Sequence, residues 1–255
     1  MARITYDNQT AAAYQAVREI PRDGLGHWRD AIGRHLSPFP GMTVADIGAG
    51  TGQFAAAFSS WFGLSIVAVE PSAAMRAQIP RRPGIQVLEG HASALPLPDG
   101  SADGAWLSLM IHHIPDLEAA AREIRRVLRP GAPVLIRQGF PGRGDWPSTW
   151  WVHRWFPETI RTVDTWPTVE QTCQAFAAAG FSRDSLEQIP ETYRTSLAEF
   201  LAQADTFRRA DSVMRDLTED EFLRGKERLR RAARDAEQAP SPEPRTNWLD
   251  LLVLR

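Results

Sequence analysis

Between residues 42 and 138 the chain alternates two patterns. Short runs of aliphatic and β-branched residues predict strands at Thr43–Ile47, Ser65–Val69, Ile85–Leu88, Gly104–Leu109 and Pro133–Arg137. Between them, apolar positions recur every three or four residues and predict helices at Gly52–Phe62, Ser72–Gln78 and Leu117–Leu128, the last stopped by Arg129-Pro130-Gly131. Strands alternating with helices form βαβ units, which imply a mostly parallel sheet with right-handed crossovers.

After Phe140 the pattern changes. Five of the nine tryptophans fall within residues 141–166: Trp146, Trp150, Trp151, Trp155 and Trp166. A helix is expected at Thr168–Ala179, closed by Gly180. A strand at Ser185–Arg194, helices at Ser196–Arg209 and Glu219–Glu237, a stiff connector at Pro240–Pro244 and a last strand at Trp248–Leu254 follow. The N-terminal helix, the tryptophan-rich segment and the late helix pair read as covers on a central sheet.

Composition removes several chemistries. The 255 residues carry a net charge of −2, so the global basic footprint of a nucleic-acid binder is absent. With one cysteine, Cys173, an intramolecular disulfide, a four-cysteine zinc site and a cysteine-ligated iron–sulfur cluster all fail on count. The single lysine, Lys226, precedes Glu227, so no P-loop can be written. The basic run from Arg224 to Arg234 reads as a solvated, salt-bridged helix face. No apolar run reaches the ~18–20 residues needed to span a bilayer. The first twenty residues lack an apolar signal core, so the cytoplasm is the expected compartment.

The chemistry concentrates at Val44-Ala45-Asp46-Ile47-Gly48-Ala49-Gly50-Thr51-Gly52-Gln53-Phe54, an apolar strand entering a glycine-rich turn and then a helix. Glycine lets such a turn reach positive φ and lets a ligand lie against bare backbone. In open α/β sheets ligands bind there, beyond the carboxyl ends of the strands. The spacing departs from a dinucleotide fingerprint, because Gln53 stands where the third glycine belongs. Asp46, just before the turn and inside the site, disfavours a pyrophosphate and favours a cation. Glu70 ends the next strand, placed to accept two ribose hydroxyls. A ligand with a ribose and a positive amino group, and without phosphate, fits these residues.

VADIGAGTG, the acid in VAVEPS, EGHASALPLPDGSADGAW, LSLMIHHIPD and EIRRVLRPGAPVLI, in that order, resemble the class I S-adenosylmethionine-dependent methyltransferases, in particular the ubiquinone/menaquinone-type and bacterial natural-product branch. The resemblance covers residues 40–140. It implies a Rossmann-like, seven-stranded, mostly parallel sheet with the last strand antiparallel, helices on both faces and helical lid elements. Residues 1–255 would form one domain: an N-terminal cover (1–39), a cofactor-binding core (40–140), acceptor-side lid insertions (141–166 and 196–237) and a final strand (246–255).

The resemblance further implies that Gly48, Ala49 and Gly50 lie against the methionine part of the cofactor, Asp46 orients its amino group, Glu70 binds the ribose and Pro71 packs on the adenine. His91 stands where the family commonly has an aspartate for the adenine amino group, with Ala92 and Ser93 beside it. Gln53, Ser108 and Tyr14 complete the expected cofactor set. His112 and His113, after the fourth strand, are the candidate catalytic residues, with His113 facing the acceptor as general base. Tyr6, Trp146, Trp150, Trp151, His153 and Trp155 are candidates for the acceptor; the tryptophans either pack beneath an insertion or line a pocket for a flat apolar molecule. No set of metal ligands stands out.

The expected function is methyl transfer from S-adenosylmethionine to a small organic acceptor through O, N or C, in bacterial specialised metabolism. Other uses of the same pocket are a non-methylating reaction such as a cyclisation, or methylation of a protein. A nicotinamide-dependent oxidoreductase is disfavoured by Gln53 and Asp46.

Overall fold

A computed structural model describes residues 7–18, 22–143, 151–193, 196–237 and 245–255. Seven strands form one sheet: β1 (Thr43–Ile47), β2 (Ser65–Val69), β3 (Ile85–Leu88), β4 (Gly104–Ser108), β5 (Val134–Gln138), β6 (Arg183–Tyr193) and β7 (Arg245–Leu254). Their order is β3-β2-β1-β4-β5-β7-β6. Neighbours from β3 through β5 are parallel, and β7 runs antiparallel to both β5 and β6. From β1, β2 and β3 progress outward on one side and the other four strands lie on the other, so the strand order reverses between β1 and β4. That reversal opens a crevice at the carboxyl ends of these strands.

The central strands are short, apolar and buried on both faces, as a helix-covered parallel sheet requires. One face packs on α2 (Gly26–Leu36) and α3 (Gln53–Phe62), where Trp28, Phe54, Phe58 and Trp106 meet edge to face or tilted. The other face packs on α5 (Leu117–Val127) and α8 (Val169–Ala177). Ala120, Ala121, Ile124 and Val127 form the buried stripe of α5, and Asp116 caps it by accepting from the Ala119 amide at 2.8 Å. Between α3 and α5 lies α4 (Ala73–Arg76), a single turn shorter than the expected Ser72–Gln78. Ile79 precedes Pro80, which disfavours continued α conformation.

A third apolar cluster lies in the covers. It joins α6 (Trp151–Trp155), α7 (Ile160–Val163), α9 (Leu197–Ala210), α10 (Ser212–Arg215) and α11 (Glu219–Glu237) through Phe156, Phe200, Phe207 and Phe222, with Val17 of α1 (Asn8–Arg18) packed against it. Two capping boxes, Thr168/Gln171 and Ser196/Glu199, start α8 and α9 where the sequence places them. The basic residues of α11 are ion-paired at Lys226–Asp205, Arg228–Glu158 and Arg230–Glu227. No helix among the described residues is long and apolar enough to cross a membrane. The connector at Pro240–Pro244 lies outside the described residues.

Candidate functional site

The turn after β1 carries Gly48, Gly50 and Gly52 at φ +70°, +57° and +79°. All three occupy the left-handed region that a side chain makes costly. Amides of Gly48 and Ala49 donate to the Val69 carbonyl at 2.8 and 3.1 Å, which straps the turn to the end of β2. A Cβ on Gly48 would meet the Met110 side chain at 2.9 Å, whereas one on Gly50 would enter open space.

Two carboxylates flank the turn. Glu70 accepts from the Gly50 amide (2.9 Å, Oε2) and the Ser72 amide (2.9 Å, Oε1). Burial raises its pKa, opposed by those amides and by the Arg76 and His91 charges. Arg76 in turn donates to the carbonyls of Glu70 and Pro71 at 2.8 and 2.7 Å, fixing the backbone that carries the acid. Asp46 is 2% exposed beneath the turn, and its Oδ2 is buried with no hydrogen-bond partner. Burial, then the Glu70 charge, pushes its carboxyl up to about 7. A buried carboxylate oxygen without a donor beside a second acid is a place suited to a cationic group.

Above the strand ends lies a cavity of about 1000 Å³. Its core side is formed by Gly48, Gly50, Glu70, Pro71, His91, Ala92, Ser93 and Ser108, as the sequence predicts. Its far side comes from the covers: Tyr14 with Asp7 and Asn8 of the N-terminal segment, Trp166, and the junction Ala210-Asp211-Ser212. Between them the chain leaves β4 through Leu109, held at φ +51° with its amide on the Arg137 carbonyl (2.8 Å), into a 3₁₀ turn at Ile111–His113. A non-glycine residue in this conformation marks backbone constrained by its surroundings.

His112 and His113 both line the cavity, with ring centroids 4.1 Å apart. His112 is buried and stacks on Trp166 at 3.9 Å and 13°. Its Nδ1 lies 3.2 Å from Gln138 Nε2. Ser108 accepts from Arg137 at 3.0 Å, and Arg137 is itself paired with Glu191, both fully buried in the sheet.

Several expectations need correction. His153 lies in the covers, 0% exposed, with Nδ1 2.6 Å from Thr159 Oγ1, and does not line the cavity. Burial pushes its pKa down to about 4. Trp155 packs against the cover cluster, outside the cavity lining. Asp46 lies buried beneath the turn, Ala49 packs on the α2–α3 side, and Gln53 begins α3; none of the three lines the cavity. Tyr6, Trp146 and Trp150 lie outside the described residues, as does the side chain of Trp151. Among the cavity residues that sequence reasoning left out of the site are Trp166, Asp7 and Asp211. Trp166 was visible only as one of five tryptophans, and Asp211 only as the cap of α10. Among the described residues no three His, Cys, Asp or Glu side chains converge as metal ligands.

Residues 45–136 match the family described as a methyltransferase domain. The ubiquinone/menaquinone biosynthesis C-methyltransferase UbiE of Caulobacter vibrioides is 34% identical over 149 residues, 53% of this chain and 59% of that one. A demethylmenaquinone methyltransferase of Renibacterium salmoninarum is 31% identical over 133 residues, 51% of this chain and 56% of that one. The chain thus spans less than two thirds of the length of the curated relatives it matches. Among solved structures, one ascribed to a methyltransferase of an antibiotic biosynthesis pathway in Anabaena variabilis superposes with a TM-score of 0.70 at 22% identity, covering 93% of this chain and 98% of that one. The [4+2]-cyclase SpnF does so with a TM-score of 0.57 at 18% identity, covering 97% and 92%. These structural likenesses speak to the fold. The span that matches the methyltransferase domain, residues 45–136, carries both acids and the glycine turn between them, on a sheet whose strand order reverses above that turn.

Proposed function

We propose that this protein transfers a methyl group from S-adenosylmethionine to a small organic acceptor held between the sheet and the helical covers. The observation that carries the reading is the acid pair around the glycine turn: Asp46, buried beneath the turn behind the cavity wall with an unpartnered oxygen, and Glu70, which lines the cavity and is fixed by two backbone amides. The residues present fit the cofactor. Asp46 would take its ammonium group, directly or through water. Glu70, with lone pairs remaining on each oxygen, would accept from the ribose hydroxyls. The open space at Gly50 admits the methionine chain, and Pro71, His91, Ala92 and Ser93 would enclose the adenine.

When bound, the cofactor supplies an electrophilic methyl group on a sulfonium. The protein's share is positioning, worth up to ~7–11 kcal/mol in well-oriented systems. Trp166 and Tyr14 offer flat apolar surface to an acceptor, and the covers exclude water around it. Where the acceptor must lose a proton, a ring nitrogen of His113 would take it, a contribution of typically 10²–10⁴-fold.

The curated relatives are named as C-methyltransferases of quinone biosynthesis, which makes an aromatic, oxygen-bearing acceptor the first class to screen. The breadth of the cavity and a cover built largely outside the matched domain favour a small molecule over a protein. We assign it to bacterial specialised metabolism.

Calorimetric titration with S-adenosylhomocysteine, with NAD in parallel, tests the cofactor. Binding of the first at micromolar or tighter affinity, and none of the second, is expected; the reverse overturns the reading. An acceptor screen read by mass spectrometry then tests the reaction through the added mass of one methyl group. Conversion without that mass change would assign the pocket to a non-methylating reaction, the use for which the SpnF fold is named. His113→Gln should lower turnover about 10²-fold or more while leaving S-adenosylhomocysteine affinity within a few-fold.

A further inference from the structure

His112 and His113 are adjacent, both reach the cavity, and by residue type either could take a proton. We propose that the side-chain amide of Gln138 divides their roles: it fixes His112 as the tautomer with its ring proton on Nε2, making His112 a hydrogen-bond donor and leaving proton abstraction to His113. The inference rests on the reading of this cavity as a methyl-transfer site.

Gln138 ends β5 and is fully buried. Its Nε2 lies 3.3 Å from the Gly139 carbonyl oxygen and 3.2 Å from His112 Nδ1. A carbonyl oxygen only accepts, so the end of the amide that faces it is the NH₂ group. That group has two protons and no lone pair to share. One proton meets the carbonyl and the other meets Nδ1. His112 Nδ1 must then present its lone pair, and in a neutral ring the proton resides on Nε2.

Each alternative fails on the same atoms. Turning the amide over sets Oε1 against the Gly139 oxygen, two acceptors facing each other. A proton on Nδ1, in the other tautomer or in the imidazolium, faces an N–H of the amide. Either arrangement loses a hydrogen bond in a buried place, which biases the population by roughly 5- to 150-fold. The parallel stack on Trp166, at 3.9 Å and 13°, fixes the ring plane, and a half-turn within that plane would set a C–H where Nδ1 meets the amide.

The consequence reaches the acceptor. With its Nδ1 lone pair spent on Gln138, His112 has no nitrogen from which to act as a base. What it supplies is an N–H, which suits a ligand atom with exposed lone pairs such as a ketone or phenolate oxygen. Gln138 does not line the cavity and acts only through His112, as a positioning residue.

Two-bond ¹H–¹⁵N correlation of ¹⁵N-histidine-labelled protein reads the tautomer directly, with His112 assigned by the signals lost in His112→Asn. For the wild-type protein saturated with S-adenosylhomocysteine, the expected pattern is an unprotonated Nδ1 and a protonated Nε2 at neutral pH. Gln138→Glu should invert it, because a carboxylate accepts from Nδ1–H. Gln138→Leu should give a mixture of the two forms. A protonated Nδ1 in the wild type, or an unchanged pattern in Gln138→Glu, overturns the proposal. If S-adenosylhomocysteine fails to bind, the cofactor reading falls, and the same spectrum of the unliganded protein still decides the tautomer.

Discussion

Asp46→Asn should stabilise the unliganded protein at alkaline pH while removing its function. Burial and the Glu70 charge hold the Asp46 carboxyl at about 7 in the folded chain, against 3.8 for the unperturbed group. The unfolded chain therefore gives up this proton more readily than the native one. Stability from this residue is greatest below the unfolded value, falls as pH rises toward the folded value, and levels off above it. Worked between those two values, the cost of ionising Asp46 in the fold is about 2 kcal/mol at pH 5 and about 4 kcal/mol at pH 8. An asparagine escapes that change. It keeps an oxygen for the Ala55 amide and places an NH₂ group where Oδ2 has no partner, a penalty that does not vary with pH. The stability difference between variant and wild type should therefore move by about 2–3 kcal/mol in favour of the variant between pH 5 and pH 8. At ~2–4 °C per kcal/mol for a domain of this size, that is a relative gain of about 5–10 °C in Tm. Scanning calorimetry of both proteins at four pH values measures it. S-adenosylhomocysteine should raise the wild-type Tm at pH 8 and leave that of the variant nearly unchanged. A Tm difference that stays flat from pH 5 to pH 8 would refute the reasoning.

Other sites separate binding from folding. Gly50→Ala should cost only about 1–2 kcal/mol of stability from its positive φ, because its Cβ meets nothing within 4 Å, yet lower S-adenosylhomocysteine affinity at least tenfold by calorimetry as the methyl group fills cofactor space. Unchanged affinity would remove Gly50 from the site. Arg137→Met should cost about 3–5 kcal/mol in urea denaturation, because it takes the buried cationic partner from Glu191, itself 1% exposed, and Glu191→Met added to it should recover most of the loss. A double variant no better than the single one would mean that Arg137 stabilises through its stacking on Trp28 and Phe54 rather than through its charge.

The sheet was readable because its signals are local. β1, β2 and β3 form at the residues their apolar runs mark, since a buried parallel strand needs an unbroken apolar stretch bounded by turn residues. The glycine turn with an acid on either side was readable for the same reason, because positive φ and ligand approach limit which residues can stand there. The outer antiparallel pair was less so. β6 begins at Arg183 and β7 at Arg245, earlier than their apolar content suggests, because pairing between them carries polar positions such as Glu191 and Asn247 into the ladder.

The covers resisted reading for a different reason. Which side of a cover helix meets the ligand depends on how the covers pack on one another, and that packing joins residues far apart in the chain. His153 looked like a polar contact for an acceptor because it is a titratable residue among tryptophans. It is instead fully buried in the covers, and Thr159 six residues away pairs with its Nδ1. Trp166 is chemically no different from Trp155, yet only Trp166 follows α7 to the carboxyl edge of the sheet, where the His112 ring stacks on it. Asp7 and Asp211 stand more than 200 positions apart and line one cavity, and each is visible in sequence only as a helix cap. The role of Gln138 was hidden by the same logic. A polar residue at the end of an apolar strand reads as a strand terminus, and its meaning appears only when the turn after β4 brings the His112 nitrogen to its amide. The cofactor side of such a site is written in adjacent residues and can be recognised one motif at a time. The acceptor side is written in contacts between elements, so it can be read only after the chain has folded.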